Sequence, residues 1–451
     1  MDNKNPVLYL GAIFLGLAIS VLVIKGNFSP QILGFLVFCF LFIPTLIKPD
    51  IGLIVIIVSM LLSPEFIVGS TTVRLVAIRA EDVILAVIIL AWFLRVSLTK
   101  SLADTFKTPL TVPFFFYMLS CIVSTLLAAI YGEIDLALSF FTMLKYFEYF
   151  MLFIMTRDII KNMRQIKIFV LVFFLTAFIV SIYSNTYINE SMKSGAQIIR
   201  VSPPNETRRG GEAGTLGGYL IFAMAITAGL LLNVQTTPVR ILLICLELAM
   251  FRAFLYTLSR GSYLAVIPVT ATLIYFTKRN KAVLIYSACV IAVMLIFFAP
   301  KMVKERVMTT VTTEDVISGK RVVWEESPRE RLNSWKEVLF ERFPKRPIFG
   351  YGVARYFIDG QIFLTLCEVG LLGFILFGLV LARLFKMAKE VLDIEDVKND
   401  GFGSGLTVGF LAGFIGVLFS AIGTNTFLII KIMEPFWFMA AIVLSQHNVK
   451  R

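Results

Sequence analysis

The sequence predicts an all-α polytopic membrane protein with roughly 12–14 transmembrane helices and a large, partly helical external loop. Three observations predict it. Hydrophobic residues fill 58% of 451 positions and charged residues 16%, with a mean hydropathy of +0.85, well outside the range of soluble domains. Apolar runs of spanning length begin near residues 7, 30, 51, 80, 109, 141, 165, 214, 239, 261, 282, 361, 404 and 426. Lysine and arginine collect in alternate connections, as topology-setting charges do, so the formal charge of +12 does not imply nucleic acid.

The elements follow in chain order. The run from about 7 to 24 follows Lys4 and precedes "KGN", with no small-residue cleavage site, and reads as a retained first span. Runs near 30 and 51 flank "IKPD" and read as a short hairpin. Proline at "SPQ", "KPD", "KTPL" and "TTPV" marks helix starts and turns. With a cytoplasmic N-terminus, the inner connections receive Lys48, Arg95, Lys107, Lys161, Arg240, Lys281 and Lys398, among others. The short outer ones receive only Lys25, Arg74, Arg79 and Arg260. An even number of spans follows, with both termini inside and the loops 189–213 and 300–360 outside.

The second loop contains "SPRERLNSWKEVLFERF". Its Leu332, Trp335, Val338, Leu339 and Phe343 share one helical face, with Ser327 and Pro328 as the start. This predicts an amphipathic helix lying over the membrane face like a lid. No internal repeat, low-complexity tract or separate soluble domain interrupts the single integral-membrane domain, 1–451. Cys39, Cys121, Cys245, Cys289 and Cys367 all lie in apolar runs, so neither disulfides nor a zinc site is expected. The only histidine is His447, which excludes a histidine-based metal cluster or general base near the loops. No metal and no cofactor are expected.

Three outward segments carry arginine. Arg208 and Arg209 in "ETRRGGEAGTLGGYL" precede a glycine-rich helix start whose free N–H groups favour an anion. Arg260 in "TLSRGSYLAV" occupies a minimal turn between spans, and Arg329, Arg331 and Arg355 precede Asp359 in the long loop. Guanidinium grips phosphate bidentately and stays charged at low dielectric, so their convergence describes a diphosphate pocket at the membrane–water boundary. Simpler readings stand beside it. Arg260 could snorkel, Arg208 and Arg209 could be solvated, and Arg329 and Arg331 could form surface pairs with Glu330. Asp359 could cap the helix beginning at Gly360.

Within the spans, Lys145 and Glu148 are three residues apart, as are Lys431 and Glu434, a spacing that reads as self-neutralising ion pairs. Glu247, Arg252 and Glu368 have no such partner in their own helices and are expected to face the bundle interior or a wet cavity. Arg252, about two turns before Arg260, could line the same cavity.

"TLSRGSYLAV", then "RERLNSWKEVLFERFPKRPIFGYG", then "FLTLCEVGLLGF" resemble in order and spacing the core of the bacterial O-antigen ligase and O-antigen polymerase superfamily. The likeness covers roughly residues 200–380, with "RAEDVIL" and "LKYFEYF" as weaker N-terminal echoes. It implies a metal-independent glycosyltransferase of the membrane GT-C type in the bacterial inner membrane, with its active site on the periplasmic face. The implied donor is an undecaprenyl diphosphate-linked glycan, and the acceptor a hydroxyl of a glycan or of a lipid-linked or protein partner. Membrane lipids and other envelope polysaccharide assembly proteins are implied partners.

Ligases of this superfamily carry a catalytic histidine nine residues before the glutamate that precedes the glycine-rich helix. Nine residues before Glu368 stands Asp359, which tilts the resemblance toward a polysaccharide polymerase. In that scheme Asp359 orients or deprotonates the acceptor. Arg260, then Arg209 and Arg331, stabilise the leaving diphosphate, and Glu368 orders the base of the cavity. Arg208, Arg329, Arg355 and Arg252 complete the substrate-binding set. The rival classes are a lipid-linked glycan flippase, expected to show repeated halves and broken helices, and a receptor or assembly scaffold.

Overall fold

The computed structural model describes residues 30–63, 65–70, 75–99, 101–196, 198–204, 213–277, 281, 285, 300–308, 311–316, 319–324, 326–447 and 449. The spans expected from 7 and from 282 lie outside the described residues, as do Arg208 and Arg209. The all-α membrane architecture is observed, and the other apolar runs are each a helix. They are α1 (Pro30–Ile47), α2 (Pro49–Leu62), α3 (Ala80–Thr99), α4 (Thr111–Ile130), α5 (Leu136–Ile159) and α6 (Met163–Lys193). After these come α7 (Ala213–Asn233), α8 (Thr237–Leu255) and α9 (Arg260–Phe276). Past the long loop lie α12 (Gln361–Asp393), α13 (Gly401–Gly423) and α14 (Ile430–Ser445). Among the described residues, seven helices (α3–α7, α12 and α13) are long and apolar enough to cross a membrane.

Small residues set the tightest packing. Gly401, Gly405, Gly409 and Gly413 repeat every fourth residue along α13 and face α7. A Cβ on Gly409 would come 2.6 Å from the Ile226 Cα, and one on Gly405 2.9 Å from the Leu230 Cα, so only glycine lets the two backbones approach this closely. Phe410, Phe414 and Phe436 pack edge to face or tilted beside this seam, with ring centroids 5.1–6.1 Å apart.

The connections sort into two ends of the bundle. At one end Arg95 donates to the carbonyls of Leu46 and Ile47, the Gln165 amide donates to Asp50, and Lys167 lies over the Phe402 ring. The long loop, the α8–α9 turn, the segment 198–204 and the α13–α14 connection meet at the other end.

The long loop departs from expectation in two ways. It contains a helix, α10 (Lys301–Met308), and an antiparallel hairpin, β3 (Val311–Val316) with β4 (Gly319–Trp324), where only helix was foreseen. A second hairpin pairs β1 (Glu65–Ser70) with β2 (Leu75–Arg79) ahead of α3. The amphipathic helix is α11 (Glu326–Glu337), and it continues through a π-helical turn at Val338–Arg342. That widened turn rotates the expected apolar face out of register. Val338 is buried, whereas Leu332 and Leu339 are exposed.

Candidate functional site

The site forms where three connections and the end of the long loop meet. The α8–α9 turn reverses the chain through Leu258, at a φ of 51°, and Ser259 precedes Arg260, the first residue of α9. Its hydroxyl lies 2.9 Å from that of Ser262. This turn rests on α7 at Gly217, where a Cβ would come within 3.1 Å of both serine Cβ atoms. The glycine-rich stretch thus serves close approach, bringing Arg260 against the bundle.

From the opposite side, α11 presents two residues four apart. Arg331 Nε donates to Asp359 Oδ2 at 3.0 Å, and Trp335 Nε1 donates to the Asp359 carbonyl at 2.6 Å. The Trp335 ring stacks on Phe363 at 4.6 Å. Helical i, i+4 spacing lets one helix hold both the carboxylate and the backbone of Asp359. The capping alternative is not what the structure shows. Gly360, at a φ of 99°, is the N-cap of α12, and no side chain caps that end.

Two further arginines complete the group. Arg200 lies in the segment 198–204, which Val201 fastens by donating its amide to the Tyr256 carbonyl at 3.0 Å. Arg306 lies on α10, and burial first, then the charges of Arg200 and Arg331, hold its guanidinium below its ordinary value. Arg260 in turn feels the charges of Arg306 and Arg331. Arg260, Arg306 and Arg331 therefore lie within electrostatic reach of one another, with Arg200 beside Arg306, and Arg331 ties the group to Asp359. Guanidiniums do not deprotonate in this pH range, so such a gathering favours an anionic ligand.

The loop that delivers Asp359 is threaded into a break in α12. Gly370, at φ 64° and ψ −167°, interrupts that helix. The amides of Leu371 and Leu372 donate to the carbonyls of Pro347 and Ile348, while Tyr351 and Gly352 donate to those of Cys367 and Glu368. Ser124 donates to the Glu368 carbonyl at 2.6 Å and accepts from the Gly352 amide at 3.0 Å. Ser139 donates to the Val353 carbonyl, and the buried Glu368 carboxylate accepts the Ala354 amide at 2.7 Å. Glu368 thus acts on the loop backbone, as a positioning residue below the arginine group.

The remaining expected residues are placed elsewhere. Arg355 turns to Glu133 in the α4–α5 connection, where Arg346 joins it at 2.9 Å. Partial burial raises the Glu133 carboxyl, but hydrogen bonds and charge from Arg355 and Arg346 outweigh this and hold it below its ordinary range. Arg252 donates to Asn185 and Asn189 of α6 and so ties α8 to α6. Arg329 is exposed on α11. Sequence reasoning missed Arg200, Arg306, Trp335 as an anchor, and Glu133. The one available signal was Arg200 standing alone between Ile199 and Val201, both of which are buried.

The interior pairs also differ from expectation. Lys145 lies within electrostatic reach of Asp82 of α3 as well as of Glu148 of its own helix. Lys431 is fully buried and donates to the Pro204 carbonyl at 3.3 Å, at the edge of the Arg200 segment.

No curated protein matches the chain. A family model described as O-antigen ligase matches residues 245–366, a stretch that contains Arg260, Arg306, Arg331 and Asp359. Over this segment, and with it most of the arginine group, the match supports the resemblance to the O-antigen ligase and polymerase superfamily.

Proposed function

We propose that the protein is an inner-membrane glycosyltransferase that takes glycan from undecaprenyl diphosphate at the outer face and extends a polysaccharide with it. The observation that carries this reading is the gathering of Arg200, Arg260, Arg306 and Arg331 within electrostatic reach of one another, with Arg331 on Asp359, in and beside the family-matched segment. An acceptor hydroxyl attacks the anomeric carbon, and its oxygen forms the new glycosidic bond as the bond from that carbon to the diphosphate oxygen breaks. The proton passes to Asp359 and the electron pair leaves with the diphosphate. Charge builds on the leaving group in the transition state, so preorganised guanidiniums favour that state over the ground state.

Asp359, standing where ligases of the superfamily carry histidine, favours a polymerase over a ligase. One observation bears on the flippase alternative, the break in α12 at Gly370. Its freed amides and carbonyls are bonded to the loop 347–352, so the break acts as a docking point for that loop.

The deciding experiment supplies the purified protein with undecaprenyl diphosphate-linked repeat units and resolves products by size and by the lipid they carry. A ladder of lengthened lipid-linked glycans is expected. Transfer to a different lipid or to protein would make it a ligase. Unchanged donor, moved across a proteoliposome membrane, would make it a flippase.

A further inference from the structure

We infer that Asp359 and the donor's diphosphate compete for Arg331, so that donor binding itself releases the carboxylate to act as base. The inference rests on the diphosphate reading above. A carboxylate that accepts a hydrogen bond from a guanidinium is a weakened base, because that contact favours its charged form. With Arg331 Nε at 3.0 Å from Oδ2, Asp359 is held in place and that oxygen is already occupied by a donor. The same contact occupies the Nε edge of Arg331, one of the two edges a guanidinium offers to a phosphate.

Three features make an exchange of partners feasible. The backbone of Asp359 is fixed independently, by Trp335 at its carbonyl and by the start of α12 immediately after it, so the carboxylate stays at the site when Arg331 lets go. Both side chains are little more than one-third exposed, 37% and 36%, and a change of side-chain rotamer is enough to part them. Arg260 and Arg306 lie within electrostatic reach of Arg331, so a diphosphate bound at Arg331 gains from their field as well. Donor loading and base activation are thereby one event. The carboxylate is quenched until the leaving group that needs it has arrived.

The test measures affinity for inorganic pyrophosphate in the full-length protein, in wild type, Asp359→Asn, Arg331→Gln and the double variant. Asparagine keeps the shape and the backbone contact to Trp335 while removing the competing charge. Affinity is expected to rise roughly three- to tenfold in Asp359→Asn, the scale of one partly exposed charge pair no longer competing. The same substitution is expected to bring no rise on the Arg331→Gln background, while donor turnover falls in Asp359→Asn. Equal or weaker pyrophosphate binding by Asp359→Asn overturns the competition, as does an equal gain on both backgrounds, which would mean a general field effect. Asp359→Ser carries the same expectations should the asparagine variant fold poorly. If wild type and every variant ignore pyrophosphate, the diphosphate reading itself falls and takes the competition with it. Binding without the predicted gain removes the competition alone.

Discussion

Two arginine–carboxylate groups flank the same loop, one at Glu133 and one at Asp359, and they differ in what surrounds the charge. At Glu133, Arg346 and Arg355 meet a single carboxylate and their guanidiniums lie over aromatic rings, Arg346 at 4.9 Å from Tyr131 and Tyr351, and Arg355 at 4.9 Å from Tyr356. Arg342 stacks on Tyr356 at 3.8 Å and pairs with Glu337. Each cation there is already matched by a carboxylate or a π-face. At Asp359, Arg331 meets the carboxylate, and Arg260 and Arg306 lie within electrostatic reach of Arg331, with Arg200 beside Arg306. The first group is a structural pin, and the second gathers like charge from four separate segments, the arrangement that a site for an anionic ligand requires. Arginine content alone does not distinguish them.

Breaking the comparison at its strongest point gives the largest effect. Arg260→Ala is expected to lower glycan transfer by about 100-fold or more, with normal membrane insertion, because a preorganised donor at the developing charge is lost. Measured turnover near wild type would remove Arg260 from the leaving-group role. Next comes Glu368→Ala, which strands the buried Ala354 amide and is expected to destabilise the protein by about 1–3 kcal/mol in a thermal or denaturant melt. Glu368→Gln keeps an acceptor oxygen and is expected to retain most stability and activity. A dead but stable glutamine variant would point to direct chemistry at Glu368 instead.

The pin should respond more weakly, and to pH. Because the folded Glu133 carboxyl lies below its ordinary value of 4.5, its hold on Arg346 and Arg355 is complete above that pH and fades as acid titrates through the depressed value. Protease cleavage of the 346–355 loop is expected to accelerate below about pH 4.5 in wild type and to be fast and pH-independent in Glu133→Gln. The smallest effect belongs to exposed Arg329. Arg329→Ala is expected to change turnover less than about twofold, as for a solvated surface charge.

Much of the fold was legible because the membrane enforces it. Apolar length locates helices such as Ala80–Thr99 and Gly401–Gly423, since unpaired backbone cannot remain in hydrocarbon. The site was legible only where sequence neighbours act together, as Arg331 and Trp335 do from one helix with Asp359. Arg200 and Arg306 were not, because their role comes from the meeting of segments about 100 residues apart. Arg355 misled for the converse reason. It precedes Asp359 by four residues, yet Glu133, more than 200 positions earlier, claims it. The hairpins escaped notice because short β-branched runs such as Val311–Val316 leave no mark on a search for spans.

The break at Gly370 also bears on how the chain reaches its final form. The loop carbonyls at Pro347 and Ile348 and the amides at Tyr351 and Gly352 find partners only 16–24 residues later, so the loop and the first turns of the next helix can assemble as a local unit. Closing so short a stretch costs little chain entropy and takes well under a millisecond. The arginines from the α8–α9 turn and the 198–204 segment arrive over far longer separations and belong to a later, slower step. Asp359 is thus in place on its scaffold before the arginines of the more distant segments arrive.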